Sequence, residues 1–124
     1  MLARLVVLVD FGDTGEKLLR KRFERDGFAF LHVSTIEEAA QAMTQYRTHG
    51  LVWHLTRMTW RDREVSGKDL QKVIKYVEKT CGKGVPEKKF RWGVSATEGT
   101  REHAKVTGWF GEVMDWDELL SAWD

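Results

Sequence analysis

The chain has one cysteine and one proline in 124 residues. A lone Cys81 excludes an intrachain disulfide framework, and with it the small secreted scaffolds that depend on one. A lone Pro86, with no Ser- or Gly-rich tract, leaves no visible linker, so a single domain spanning residues 1–124 is expected. No apolar run approaches the roughly 18 residues that a membrane-crossing helix requires. Residues 1–5 lack the long apolar stretch and small-residue cleavage site of a leader, so a cytoplasmic location is expected. Charge of one sign is also missing. Lys and Arg total 20 against 19 Asp and Glu, a net charge of +1, which gives no global attraction to nucleic acid or membrane surfaces. What remains is 42% hydrophobic and 31% charged, the balance of a chain able to bury one core.

The hydrophobic residues fall in two rhythms. Leu5-Val6-Val7-Leu8-Val9 is a continuous aliphatic run, which suits a strand covered on both faces. It ends in the polar loop Asp10-Phe11-Gly12-Asp13-Thr14-Gly15. Leu18, Leu19 and Phe23 then recur at helical spacing until Asp26-Gly27 stops the helix. Phe28–Val33 reads as a second strand. Ser34-Thr35-Ile36-Glu37 resembles a capping box that opens a helix ending near His49-Gly50. Leu51–Leu55 is a third strand, and residues 56–65 form a polar, basic connection. Leu70, Val73, Ile74 and Val77 mark a third helix between Ser66 and Cys81-Gly82. Phe90–Ser95 is a fourth strand, weakened by Gly93. A polar helix over 98–106, a fifth strand over 109–114, and a helix capped by Asp115-Trp116-Asp117-Glu118 complete the pattern.

Five strands alternating with five helices predict an α/β flavodoxin-like (βα)5 three-layer sandwich. Its five-stranded sheet is parallel, in the order 2-1-3-4-5. Ligands of such sheets sit beyond the carboxyl ends of the strands, at the switch point between strands 1 and 3. Function is therefore sought in Asp10–Gly15, His54–Trp60, Ser95–Glu98 and Gly111–Asp115.

Over its whole length the chain resembles the receiver domain of two-component response regulators. The resemblance is carried by Arg4–Asp10, by Leu18–Phe28, by Ile36-Glu37-Glu38-Ala39, by Val94-Ser95-Ala96 and by Asp115–Leu120. It implies a phosphorylation site, and the chemistry expected there is degenerate. A receiver holds Mg²⁺ with paired acids after strand 1; here Asp10 is followed by Phe11, and Asp13 is displaced by three residues. The phosphoaccepting Asp belongs at the end of strand 3. His54 or Leu55 stands there, and no acid occurs between Gly50 and Arg61. The Lys-Pro that follows strand 5 aligns with Glu112-Val113, placing an anion where a phosphoryl group would need a cation. Ser95 keeps the switch hydroxyl, or serves as a helix cap. A pseudo-receiver is expected, with no metal and no cofactor, acting in signalling or scaffolding through a protein partner or a homodimer. By the resemblance, its docking face is helix 4–strand 5–helix 5, where Trp109, Phe110, Trp116 and Trp123 are assigned.

Alternatives come from the same residues. An Asp10–His54 pair is compatible with a base or with a satisfied core imidazole. A small α/β enzyme or ligand-binding domain would use Asp10, Asp13 and His54. The loop from Asp10 to Gly15 resembles the Asp-x-Asp-Gly-Thr motif of haloacid-dehalogenase-like phosphotransferases, but Gly12 takes the second acid's place. Two basic stretches offer a third reading, weak nucleic-acid binding, which the net charge disfavours. They are Arg57, Trp60, Arg61 and Arg63, and then Lys83, Lys88, Lys89 and Arg91.

Overall fold

The computed structural model describes residues 4–123, the side chain of Trp123 excepted. The chain runs β1 (Arg4–Val9), α1 (Thr14–Arg25), β2 (Phe28–Val33), α2 (Ile36–Gln45) and β3 (Thr48–His54). A short hairpin follows, β4 (Met58–Trp60) and β5 (Arg63–Val65). Then come α3 (Leu70–Cys81), β6 (Arg91–Val94), α4 (Glu98–Thr107), β7 (Glu112–Met114) and α5 (Trp116–Trp123). The main sheet has five strands in the order β2-β1-β3-β6-β7, and every pairing within it is parallel. This is the expected flavodoxin-like arrangement, with the hairpin inserted after the third strand.

The continuous apolar runs explain the layering. Val6 and Leu8 point to one face of the sheet and Val7 and Val9 to the other, because strand side chains alternate. The first pair joins Leu19, Phe23, Val94 and Leu119 in the core beneath α1 and α5. The second joins Ile36, Met43, Val73, Ile74, Val77 and Ala104 beneath α2, α3 and α4. Val6, Val7 and Leu8 are fully buried.

Several boundaries differ from the expected ones. The capping box of α2 is built by Thr35 and Glu38, one residue later than Ser34 and Glu37: the Thr35 side chain accepts from Glu38 N–H at 3.1 Å and Glu38 Oε1 accepts from Thr35 N–H at 3.1 Å. α2 ends at Gln45 because Tyr46 turns to an extended backbone, and β3 begins already at Thr48. The connection after β3 is an antiparallel hairpin whose two-residue turn, Arg61-Asp62, has positive φ at both positions. Such a turn matches the strand twist, although it usually takes Asn-Gly. Met58, Trp60 and Val65 of this hairpin are buried in the α2–α3–α4 core.

The fifth strand is shorter than expected and begins at Glu112. Trp109 and Phe110 precede it as buried loop residues, packed edge-on against Trp53 with ring centroids 5.6 Å away in each case.

Candidate functional site

The carboxyl ends of β1 and β3 lie side by side and deliver Asp10 and His54 to the switch point. Asp10 is 2% exposed. Its Oδ1 lies 2.9 Å from His54 Nδ1 and also accepts from Gly12 N–H at 3.1 Å, while Oδ2 accepts from Gly15 N–H at 3.1 Å. An ionised carboxylate can only accept, so the shared proton sits on Nδ1 of the imidazole. Burial pushes the Asp10 carboxyl upward. The bonds from His54, Gly12 and Gly15, with the charge of His54, outweigh it and hold the group below its ordinary value.

Gly15 makes the amide bond to Asp10 feasible. It lies in the first turn of α1, where backbone N–H groups lack helical partners. A Cβ there would stand 2.8 Å from Trp116 Cη2, 2.9 Å from Leu8 Cδ2 and 3.0 Å from Asp10 Oδ2. The helix therefore approaches the strand only because this position is glycine.

A second imidazole, unforeseen in the sequence, braces the other side. His32 Nε2 lies 2.9 Å from the carbonyl oxygen of Asp10, and its Nδ1 lies 3.0 Å from Glu16 Oε2. Arg20 clasps Glu16 through two nitrogens and donates to the carbonyl of Phe30 at 3.0 Å. Hydrogen bonds from Arg20 and then His32 hold the Glu16 carboxyl below its ordinary value. One chain of contacts thus ties β3, β1, β2 and α1 together. The signal in the sequence was a histidine near the end of an apolar strand, facing an acid one helical turn downstream of Gly12.

The other candidates divide. His54 closes β3, and Leu55 lies one residue beyond, 2% exposed, donating its N–H to Val94 O at 2.9 Å. Phe11, 42% exposed, stacks on His54 with centroids 5.9 Å apart and planes at 21°; Arg57 lies 4.8 Å from its ring. Trp116 also packs against the imidazole, with ring centroids 5.1 Å apart and planes at 60°. Ser95 is fully buried, shares a 3.0 Å bond with Thr56 and accepts from Thr97 N–H at 3.1 Å. The hydroxyl thus organises the turn before α4. Asp13 is not gathered into the site. It pairs instead with Lys17 at 3.2 Å on the surface.

Two groups of residues are corrected. Glu112 is not at the carboxyl end of its strand; it opens β7 opposite Trp92, and Met114 and Asp115 occupy the edge. Trp109 and Phe110, 6% exposed each, are core residues and present no docking surface. Trp116 is half-buried against the α1–α5 core, and the side chain of Trp123 lies outside the described residues. Of the basic stretches, Arg57 pairs with Glu64 at 3.4 Å. Arg91 is turned inward, donating to the carbonyls of Trp109 at 2.8 Å and Pro86 at 3.1 Å. Burial lowers its pKa, with Glu78 opposing.

No family model matches the sequence, and no curated protein does. Solved structures do. A response regulator from Thermotoga maritima matches with a TM-score of 0.70 at 14% identity, over 98% of this chain and 94% of that one. The receiver domain of a sensor histidine kinase from Pseudomonas aeruginosa, solved with a magnesium ion coordinated in its active-site cleft, matches at 0.64 and 12% identity, over 98% of both chains. A response regulator protein from Burkholderia pseudomallei, with a phosphorylated aspartic acid and a calcium ion, matches at 0.64 and 15% identity, over 98% of this chain and 66% of that one. The fold is that of receiver domains.

The donors at the receiver cleft do not fit a hard divalent cation. Mg²⁺ requires near-octahedral oxygen coordination, usually with more than one carboxylate or a phosphate. Both oxygens of Asp10 already accept from amides or imidazole, the next residue is Phe11, and the nearest strand end supplies a nitrogen donor. Among the described residues no group of three or more His, Cys, Asp or Glu side chains is placed to hold a metal.

Proposed function

We propose that this chain is a receiver-fold signalling or scaffolding domain that works without aspartyl phosphorylation, by binding a protein partner or a second copy of itself, and without turnover. The observation that carries the reading is His54 at the end of β3, hydrogen-bonded to Asp10 at 2.9 Å. The Nδ1 donor beside the carboxylate takes internally the place that a receiver's acids otherwise give to a metal. The carboxylate is thereby fully bonded, and Phe11 and Trp116 pack against the imidazole. Such a site has one arrangement instead of the two that a phosphoryl group would switch between.

The docking surface in this reading is the face of α4, β7 and α5. With Trp109 and Phe110 in the core, its character comes from the exposed carboxylates Glu112, Asp117 and Glu118, which suit a basic partner. No helix among the described residues is long and apolar enough to cross a membrane.

Incubation with acetyl phosphate and Mg²⁺, followed by intact-mass measurement, tests the proposal. The expected result is an unchanged mass. A stoichiometric phosphoryl adduct would overturn it.

A further inference from the structure

The opposite end of the sheet holds a second concavity. A cleft of about 550 Å³ opens between the start of β1, the start of β3 and the loop over 82–90. That volume lies within the range of small-molecule sites, roughly 300–1,000 Å³. Its wall carries Arg4, Arg47, His49 and Lys83, with Phe90 as an aromatic side and Glu87 as the one carboxylate. Arg4, Arg47 and Lys83 have no ion-pair partner among the described residues. Glu87 is turned to Lys89 at 3.7 Å, with both groups largely in solvent. Three cations without an ion-pair partner thus edge a hollow whose one carboxylate, Glu87, lies toward Lys89.

The wall is built, and its shape does not depend on a ligand. A Cβ at Gly84 would collide with the carbonyl oxygen of Met43, so the loop lies directly on the α2 backbone. Gly111 admits the carbonyl of Lys88 in the same way. Arg91 holds the Pro86 carbonyl at 3.1 Å, and Phe90 N–H donates to Glu87 O at 2.9 Å. His49 is wedged between Phe28 and Phe90, with centroids 5.2 and 4.4 Å away.

We propose that this cleft binds a small phosphate-bearing molecule, its anionic group held among Arg47, Lys83 and Arg4 and its body lying against His49 and Phe90. Guanidinium groups suit phosphate because their planar donors match its oxygens. A concave site of this size favours a small anion over a nucleic-acid backbone, which would lie on a flat or grooved surface. The charge state of His49 reports occupancy. Burial, and then the charge of Arg4, hold its pKa below the ordinary imidazole value; Lys89 adds to this and Glu87 opposes it. The site lies away from the Asp10–His54 edge, so it stands or falls separately from the signalling reading.

The test is a titration of the full chain with inorganic pyrophosphate at low ionic strength, followed by amide and imidazole resonances. The expected result is saturable shifts confined to Arg4 and to residues 47–49 and 82–90. The titration midpoint of His49 should rise as well, because a bound anion favours the charged ring. Arg47→Gln, at an exposed position without a described bond, should weaken binding about tenfold. Three results would overturn the proposal. One is no shift, or a non-saturating drift shared with the basic residues of α1. Another is an unchanged affinity in Arg47→Gln. The third is a short oligonucleotide that binds this cleft while pyrophosphate does not.

Discussion

The two ends of one parallel sheet are wired in opposite ways. At the carboxyl end, an acid buried beneath α1 is surrounded by donors: two amides and the His54 ring meet its oxygens, and His32 meets its carbonyl. At the amino end, Arg4, Arg47 and Lys83 edge a hollow whose one carboxylate, Glu87, lies toward Lys89. Buried polar groups stabilise a fold when fully bonded, and removing one partner leaves the others desolvated. Solvated cations cost little where they stand, but they leave affinity available for an anion. In an α/β sheet of this type the carboxyl end usually hosts the ligand. Here the satisfied end reads as structure and the unsatisfied end as a binding surface.

That contrast can be broken by mutation. Asp10→Ala should have the largest effect, lowering unfolding free energy by about 2–4 kcal/mol in urea titrations, because two amides and an imidazole lose their acceptor. A loss below about 0.5 kcal/mol would show that the network is decorative. Gly15→Ala should follow, with a loss of about 1–3 kcal/mol from overpacking against Leu8 and Trp116.

Acidity offers a third measurement. The Asp10 carboxyl is held below its unfolded value. The folded state therefore binds this proton less readily than the unfolded chain, and the stabilisation is complete only above the unfolded carboxyl value of about 3.9. It should fade as pH falls from there through the lower folded value. Asp10→Asn should flatten this acid limb of the stability curve; an unaltered slope would remove Asp10 from the account. At the amino end, Arg47→Gln should change stability by less than about 0.5 kcal/mol, as for an exposed side chain without fixed partners. A large loss there would erase the distinction between the two ends.

The sequence made the sheet legible because the aliphatic run of β1 and the Gly27 and Gly82 helix stops are local signals. Gly27 and Gly82 have positive φ, the conformation that glycine adopts without penalty. The hairpin over 58–65 was hidden for the opposite reason. Its turn residues, Arg61 and Asp62, carry no glycine; burial of Met58, Trp60 and Val65 in the core under α2 and α3 anchors the hairpin, and Arg61 N–H donates to Glu37 Oε2 at 2.7 Å. Trp109 and Phe110 resembled strand and surface residues at once, and the aromatic corner around Trp53 decided their place. At the site, Asp10 and His54 followed from topology alone. His32, Glu16 and Arg20 did not, because their meeting depends on the register of β2 against β1 and on the pitch of α1.

The most direct measurement is a Mg²⁺ titration of the full chain monitored at the resonances of Asp10, Gly12, Gly15 and His54. If Asp10 is an internal brace already occupied by its own amides and imidazole, these signals stay in place as the ion is added. Saturable movement of this set, with the His54 Nδ1 proton lost to exchange, would mean that the carboxylate is still a metal ligand and would contradict the account.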